Sequence, residues 1–438
     1  MKMLITREDI KSYKFLLQWL VIAILAGLVG SFSIHYFVVL YKYMIGFINS
    51  TQGIPLFLWP LLGAVLVGLV IYRIEPGAKG EGIPSYLLCL RRGNGILPPM
   101  ETFYKFWAAL ITLGTLGNGG FLGPVGRVSA GIMSFLYRII PKKIISKENL
   151  SLFPICGLAA AFGALIHTSV GGGIFAVEII QKANMRYRQL FPAILASTAS
   201  VYFSRQFGFE PILAFQTIHE SFNIKIIFII ILLTFSAGIL GKGFIILYSW
   251  ISKLFHREVH LPTLGITIRA IIGSLIAFWI VYLINPNLIG TSEPIFKAIM
   301  AGDISILWGR IPVGVPLVFI LLILIVIKAL ANCLTVGSGM SAGFAGPAIL
   351  MGLLLGAVFA ELFSIPAGTP EYYALLTAGF AGVFSSTMNT PIATGVIAIE
   401  MFGMFYSLPA ALASVVGFQI NRHNTLYDMV LDEDDDRE

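Results

Sequence analysis

Apolar residues come in long runs along this chain, for example at 16–40, 56–71, 226–247, 266–284, 316–331 and 348–363. Several reach the roughly 20 residues that a helix needs to cross hydrocarbon. Others are interrupted by glycine and proline, of which the chain has 45 and 21, so the pattern predicts an all-α chain with helices that stop partway through the bilayer. The stretch GFLGPVGRV at 120–128 interrupts most sharply, ending the apolar run 103–122 with Gly, Pro and Gly where a membrane helix should continue. An open backbone costs several kcal/mol per unpaired group in hydrocarbon, so it is tolerated only where buried in protein or lining a watery cavity.

Two internal matches predict two structural halves. TLGNGGFLGPVG (115–126) aligns without a gap on TVGSGMSAGFAG (335–346), sharing Thr and four Gly at an offset of 220. GLAAAFGALIHTSVGGGIFAVEII (157–180) aligns on GFAGVFSSTMNTPIATGVIAIEMF (379–402) at an offset of 222, with seven identities that include Glu178/Glu400. The segments read as an N-terminal stretch 1–14, a first membrane repeat 15–205, a connecting loop 206–225, a second repeat 226–420 and a tail 421–438. Breaks at 123–126 and 343–347 would each bare backbone N–H groups at a helix start, an anion site that needs no fixed cation. Close helix packing through small residues is the alternative role for one such stretch. Two repeat-related stretches favour the site.

Composition agrees with the membrane reading: 57% of the residues are hydrophobic and 12% charged. The net charge of +7 hides an acidic end, DEDDDRE, without which residues 1–431 carry +12. Basic residues gather near predicted membrane ends (Lys2, Arg7, Lys11, Lys14; Arg138, Lys142, Lys143, Lys147; Lys182, Arg186, Arg188), which marks those ends, and both termini, as cytoplasmic. That distribution fits an inner (plasma) membrane protein and not a nucleic-acid binder. Cys89, Cys156 and Cys333 show no metal-ligand spacing, no metal or other cofactor is implied, and the first apolar run is too long for a cleaved signal peptide. No nucleophile–base pair, HExxH or phosphate-binding loop points to an enzyme.

Four motifs in order carry a family resemblance: GEGIP (80–84), LGTLGNGGFLGPVGR (113–127), GSGMSAGFAGP (337–347) and TLYDM (425–429). They resemble the GSGIP, GREGP, GxFxP and pore-tyrosine segments of the CLC family of chloride channels and proton-coupled chloride transporters, over nearly the whole chain. The resemblance implies a homodimer with a separate anion pathway in each subunit, built from inverted-topology repeats of tilted and broken helices. Only 17 residues follow Asn421, so the cytoplasmic CBS pair of many members is not expected.

Carried over by position, the resemblance puts the central anion at Glu81, Tyr427 and the amides of Phe344 and Ala345. The outer site falls on the GREGP-like segment around Gly123, Pro124, Val125 and Gly126. Ala345 replaces the family's Phe, Pro124 has no N–H to offer, and Arg127 stands where the family has Pro. Val125 replaces the gating glutamate, and Ile179 the inner proton-transfer glutamate; a register one residue different would instead put Glu178 at that station. His167 is a titratable neighbour. Glu81 stands where the family has Ser, and a carboxylate about 4 Å from a bound anion costs roughly 4 kcal/mol at an effective dielectric near 20. Three roles stay open to it: a protonated donor, a group paired with Arg127 or Lys79 and turned away, or a displaced gate and proton carrier. The reading is a passive anion channel, chloride foremost, because both proton stations are apolar. The alternative is proton-coupled anion transport through Glu81.

Overall fold

The apolar runs lie on α-helices, the conformation that pairs every backbone group within its own segment. The computed structural model describes residues 7–51, 53–92, 95–140, 149–181, 185, 187–209, 223–258, 265–312, 314–423 and 425–427. Most of the predicted connecting loop, the tail from 428 onward, and Lys2, Lys142, Lys143, Lys147, Lys182 and Arg186 lie outside the described residues. Among the described residues, the first half holds α1 (Arg7–Ser50), α2 (Leu58–Arg73), α3 (Ile83–Arg92), α4 (Pro99–Gly114), α5 (Leu122–Ile139), α6 (Leu152–Ile166), α7 (Gly171–Gln181) and α8 (Tyr187–Gln206). The second holds α9 (Ile224–Glu258), α10 (Gly265–Ile284), α11 (Glu293–Ala301), α12 (Leu317–Gly337), α13 (Ala345–Leu362), α14 (Pro370–Met388), α15 (Pro391–Phe402) and α16 (Ser407–Ile420).

Five helices are long and apolar enough to cross a membrane, within α1, α9, α10, α12 and α13. The 44 residues of α1 run about 66 Å at 1.5 Å per residue, twice a hydrocarbon core of about 30 Å, so this helix must tilt or extend beyond it. Burial separates the layers: 83% of the residues of α13 are buried, against 39% along the apolar stretch of α10. The face that α9 leaves uncovered is apolar (Phe228, Ile239, Trp250), the surface a lipid environment accepts.

The halves meet in reciprocal hydrogen bonds. Gly120 donates to the Gly343 carbonyl at 2.9 Å, and Gly343 donates back to Gly120 at 2.6 Å. Asn118 N–H donates to Thr335 Oγ1 (3.4 Å) and Ser341 N–H to Thr112 Oγ1 (3.2 Å), the same contact with the halves exchanged and each residue 223 from its counterpart. Around these breaks the true offset is therefore 223 and not 220, and it superposes GFLGP (120–124) on GFAGP (343–347). The break itself moves with it. Helix α5 starts at Leu122 and α13 at Ala345, so the open backbone is 115–121 and 338–344, and Gly123–Gly126 already sit in the first turns of α5. Counting shared glycines fixed the wrong register because these helices are rich in glycine throughout.

The later match keeps its offset of 222, and carboxylates enforce it. Glu178 accepts from the N–H groups of Ile392 (3.1 Å) and Ala393 (2.7 Å) at the start of α15; Glu400 accepts from Val170 and Gly171, both at 2.9 Å, at the start of α7. Each half thus caps the other's broken helix, satisfying first-turn donors that have no intrahelical partner. A third pair was missed from sequence: EPGAKGEGIP (75–84) matches NPNLIGTSEP (285–294) at an offset of 210, with a 3-10 turn at Pro76–Ala78 and at Pro286–Leu288. Lys105 and Lys328, 223 apart and fully buried, donate to the carbonyls of these two loops.

Replacing Glu178 by Ala removes a buried carboxylate that accepts from the buried N–H of Ala393 and the partly buried N–H of Ile392, and is expected to cost roughly 2–4 kcal/mol. Glu400→Ala, at an exposed position, is expected to cost less than half as much. Thermal unfolding of the two variants in detergent checks the order; equal losses would contradict the asymmetry.

Candidate functional site

The loop that leads into α3 positions Glu81. Gly80 and Gly82 adopt positive φ (67° and 105°), which turns the chain sharply on either side of that residue. The Glu81 side chain is 2% exposed. Its Oε2 accepts from Ile83 N–H at 2.8 Å, in the first turn of α3, and Tyr427 Oη donates to Oε1 at 3.4 Å. A Cβ added to Gly123 would overlap Glu81 Oε1, so the carboxylate lies directly against the first turn of α5. Glu81, Gly123 and Tyr427 therefore converge, and at their meeting point sits the protein's own carboxylate.

Gly343 completes the junction from the second half: a Cβ there would meet Gly123 N at 3.2 Å and Pro124 Cδ at 3.2 Å. Phe344 and Ala345 follow it into α13, both buried, with the Phe344 ring edge-on to Tyr248 at 4.8 Å between centroids. Val125 N–H donates to the Phe121 carbonyl (2.9 Å) inside the helix and Pro124 has no N–H, so 124–126 form a poor anion cradle. A cavity of about 370 Å³ reaches the α5 start at Gly120, Phe121 and Leu122 instead, and the α13 start at Gly346. The Val125 side chain is fully buried in the apolar core.

Arg127 is not the partner of Glu81. Its guanidinium pairs with Glu101 at 2.7 Å and donates to Ser85 Oγ and Thr102 Oγ1, both at 3.0 Å. Lys105 does the electrostatic work that Arg127 was expected to do, and sequence reading passed it over as one lysine in an apolar run. All three ammonium protons are engaged, by the carbonyls of Ala78 (3.2 Å), Lys79 (2.8 Å) and Gly80 (2.6 Å). Lys105 thereby holds the loop that presents Glu81, and the two side chains lie within electrostatic reach of each other. Its signal in the sequence was Lys328, its equivalent in the other half.

Glu178 and Ile179 separate cleanly in space. The Glu178 carboxylate is taken up by the α15 start, while Ile179 borders a narrow cavity of about 10 Å³ with Tyr427, Leu87, Arg91 and Met388. His167 caps α6 in a left-handed conformation (φ 57°) and stacks on Phe209 at 6.0 Å, remote from the Glu81 cluster in its contacts.

Residues 63–422 match the sequence profile of the voltage gated chloride channel family. An uncharacterized protein of Methanocaldococcus jannaschii is 28% identical over 415 residues, which cover 95% of this chain and 96% of that one. A chloride/fluoride channel protein of Pseudomonas syringae pv. tomato is 23% identical, covering 96% of this chain and 88% of its own length. The crystal structure of a CLC-type fluoride/proton antiporter superposes with a TM-score of 0.79 at 21% identity, covering 97% of this chain and 98% of that one. That likeness establishes the fold.

Lys105→Met keeps the aliphatic stem but takes the donor from one buried and two partly buried carbonyls and leaves the carboxylate without its cation. A loss of more than about 3 kcal/mol is expected in thermal or denaturant unfolding. Adding Glu81→Gln should recover at least about 1 kcal/mol, since no lone charge then remains. Additive losses would show that the two groups do not compensate each other.

Proposed function

The chain belongs to the voltage gated chloride channel family, and from that premise we propose that it is a multi-pass membrane protein conducting small anions passively, chloride foremost. Members of this family are ion channels and transporters, not enzymes. The pathway runs between the starts of α5 and α13 and past Tyr427, with Glu81 as its gate. One observation carries this reading: the Glu81 carboxylate is seated between Ile83 N–H, the Tyr427 hydroxyl and Gly123, where an anion would otherwise be held. An anion about 4 Å away would be repelled by roughly 4 kcal/mol at an effective dielectric near 20. Conduction therefore requires Glu81 to take up a proton, and donate to the anion, or to swing aside. Val125 and Ile179, where the resemblance places the gate and the inner proton station, hold no proton at any pH. This supports uncoupled conduction.

The same carboxylate favours a second reading. A buried acid in the pathway that is alternately charged and neutral is what proton-coupled exchange requires, so Glu81 can serve as the displaced carrier. Under either reading the assembly is a homodimer with one pathway per subunit, in the inner (plasma) membrane with both termini cytoplasmic. These follow from the resemblance and from the basic residues at the membrane ends. A mass measurement in mild detergent that finds only monomers would remove the dimer.

Liposomes with a chloride gradient and an internal pH probe separate the readings. Passive conduction gives chloride flux with no uphill proton movement, and Glu81→Gln keeps or raises that flux. Proton pumping of fixed stoichiometry that disappears in Glu81→Gln would establish coupled exchange instead. Tyr427→Phe is expected to alter anion selectivity or occupancy severalfold, with dimer and fold intact. Unchanged selectivity would take the Tyr427 hydroxyl out of the pathway.

A further inference from the structure

The pseudo-two-fold relation of the halves maps the narrow cavity beside Tyr427 onto the larger one at the α5 start. Ile179 corresponds to Met401 and Met388 to Ile166, each pair 222 apart, and Leu87 corresponds to Lys297, 210 apart; the first member lines the small cavity and the second the large one. The residue equivalent to Glu81, also 210 along, is Thr291. The local backbone repeats as well: Gly290 has φ 68° against 67° at Gly80, and Ser292 has φ 61° where Gly82 has 105°. A tyrosine completes each arrangement. Tyr427 Oη lies 3.4 Å from the Glu81 carboxylate, and Tyr41 Oη lies 3.4 Å from Thr291 Oγ1. Tyr41 comes from α1 and is no sequence repeat of Tyr427, so two unrelated segments deliver the same group to equivalent places.

The two sites differ in charge and room. The carboxylate of Glu81 is a neutral hydroxyl on the other side, Ile83 and Leu87 become the ion pair Glu293 and Lys297, and about 10 Å³ becomes about 370 Å³. The larger volume accommodates an anion together with several waters. Lys297 is paired with Glu293 at 2.6 Å, so that pair is neutral as a unit, and Lys42 adds a further positive charge to the wall.

We propose that the larger cavity is an anion-binding site in which the hydroxyls of Thr291 and Tyr41 both donate to one small monovalent anion, with Lys42 supplying the attracting charge. The proposal rests on the anion pathway argued above and deepens it: the anion is held at a hydroxyl-lined site before it meets the carboxylate-occupied one. Two hydroxyls about 3.4 Å apart can turn their protons to a common acceptor, each at ordinary hydrogen-bond length. Here the donors are neutral hydroxyls, and the carboxylate on this wall, Glu293, is paired with Lys297, whereas at the smaller cavity the carboxylate of Glu81 itself occupies the place beside the tyrosine. Loading is then separate from passage.

Crystals of the full chain soaked in bromide test this, with the half-saturating chloride concentration of liposome flux as the second readout. Expected is an anomalous peak within hydrogen-bond distance of Thr291 Oγ1 and Tyr41 Oη. The Thr291→Val and Tyr41→Phe variants, singly and together, keep shape and should lose the peak and raise half-saturation about tenfold, with maximal flux little changed. Thr291→Glu, which copies the group at position 81, should expel bromide from the cavity. A cavity empty of bromide in the unaltered protein, or a peak that survives the double variant, overturns the proposal. If flux is intact while the cavity stays empty, this site alone fails; if bromide binds but no anion flux is measured, the site stands and the proposed function fails.

Discussion

Open backbone in the middle of a membrane has to be satisfied by protein, and the mutual hydrogen bonds of Gly120 and Gly343 are where this chain meets that constraint. Each half interrupts its own helices, at 115–121 and at 338–344, and each supplies the partners for the other's interruption. Thr112 and Thr335, Glu178 and Glu400, Lys105 and Lys328 extend the exchange outward, always as a residue in one half and its equivalent in the other. Lys105 and Lys328 serve their own half's loop; the Thr and Glu pairs cross over. Neither half could bury its breaks alone, so the broken helices that create a site also bind the two halves together.

Charge is handled by the same economy. Lys105 sits in the core with all its protons on carbonyls, and the loop so gathered delivers Glu81 a few ångströms further on. Arg127 and Glu101 form a separate pair that draws in Ser85 and Thr102, tying α3, α4 and α5. A buried ion pair adds little net stability, yet removing one member is expensive, so such groups resist replacement once the loop depends on them. The carboxylate at position 81 is tolerated because its cation, its two donors and its glycine neighbour were arranged together.

Legibility from sequence followed the physics of each feature. Membrane character, two halves and the glycine-lined breaks could be read because hydropathy and repeat order are properties of the chain alone. The register of the first match was misread by three residues, since Thr and Gly recur so often that the wrong offset scored well, while GFLGP and GFAGP were passed over. The match of EPGAKGEGIP with NPNLIGTSEP is hidden for the opposite reason: three shared residues in ten, Pro76, Gly80 and Pro84 against Pro286, Gly290 and Pro294, become persuasive only when the positive φ values of Gly80 and Gly290, and of Gly82 and Ser292, are seen to coincide. Glu81 could be recognised as out of place, but not its neighbours. Arg127 is nearer in the motif, and only the folded chain shows its guanidinium turned to Glu101.

Where a frame is this symmetric, function has to reside in the positions that break the symmetry. Gly, Pro and the capping carboxylates are shared because both halves face the same backbone problem. Glu81 against Thr291, and Leu87 against Lys297, are not dictated by that problem, because a hydroxyl and an apolar side chain serve the fold equally well in either place. Both differences act in one direction. They put a carboxylate and tight packing beside Tyr427, and a neutral hydroxyl, a cation paired with Glu293 and open volume beside Tyr41. For the anion pathway proposed above, this sets a hydroxyl-lined cavity with Lys42 on its wall on one side and a competing carboxylate on the other. The two sides differ by a few side chains set on a backbone that treats them alike.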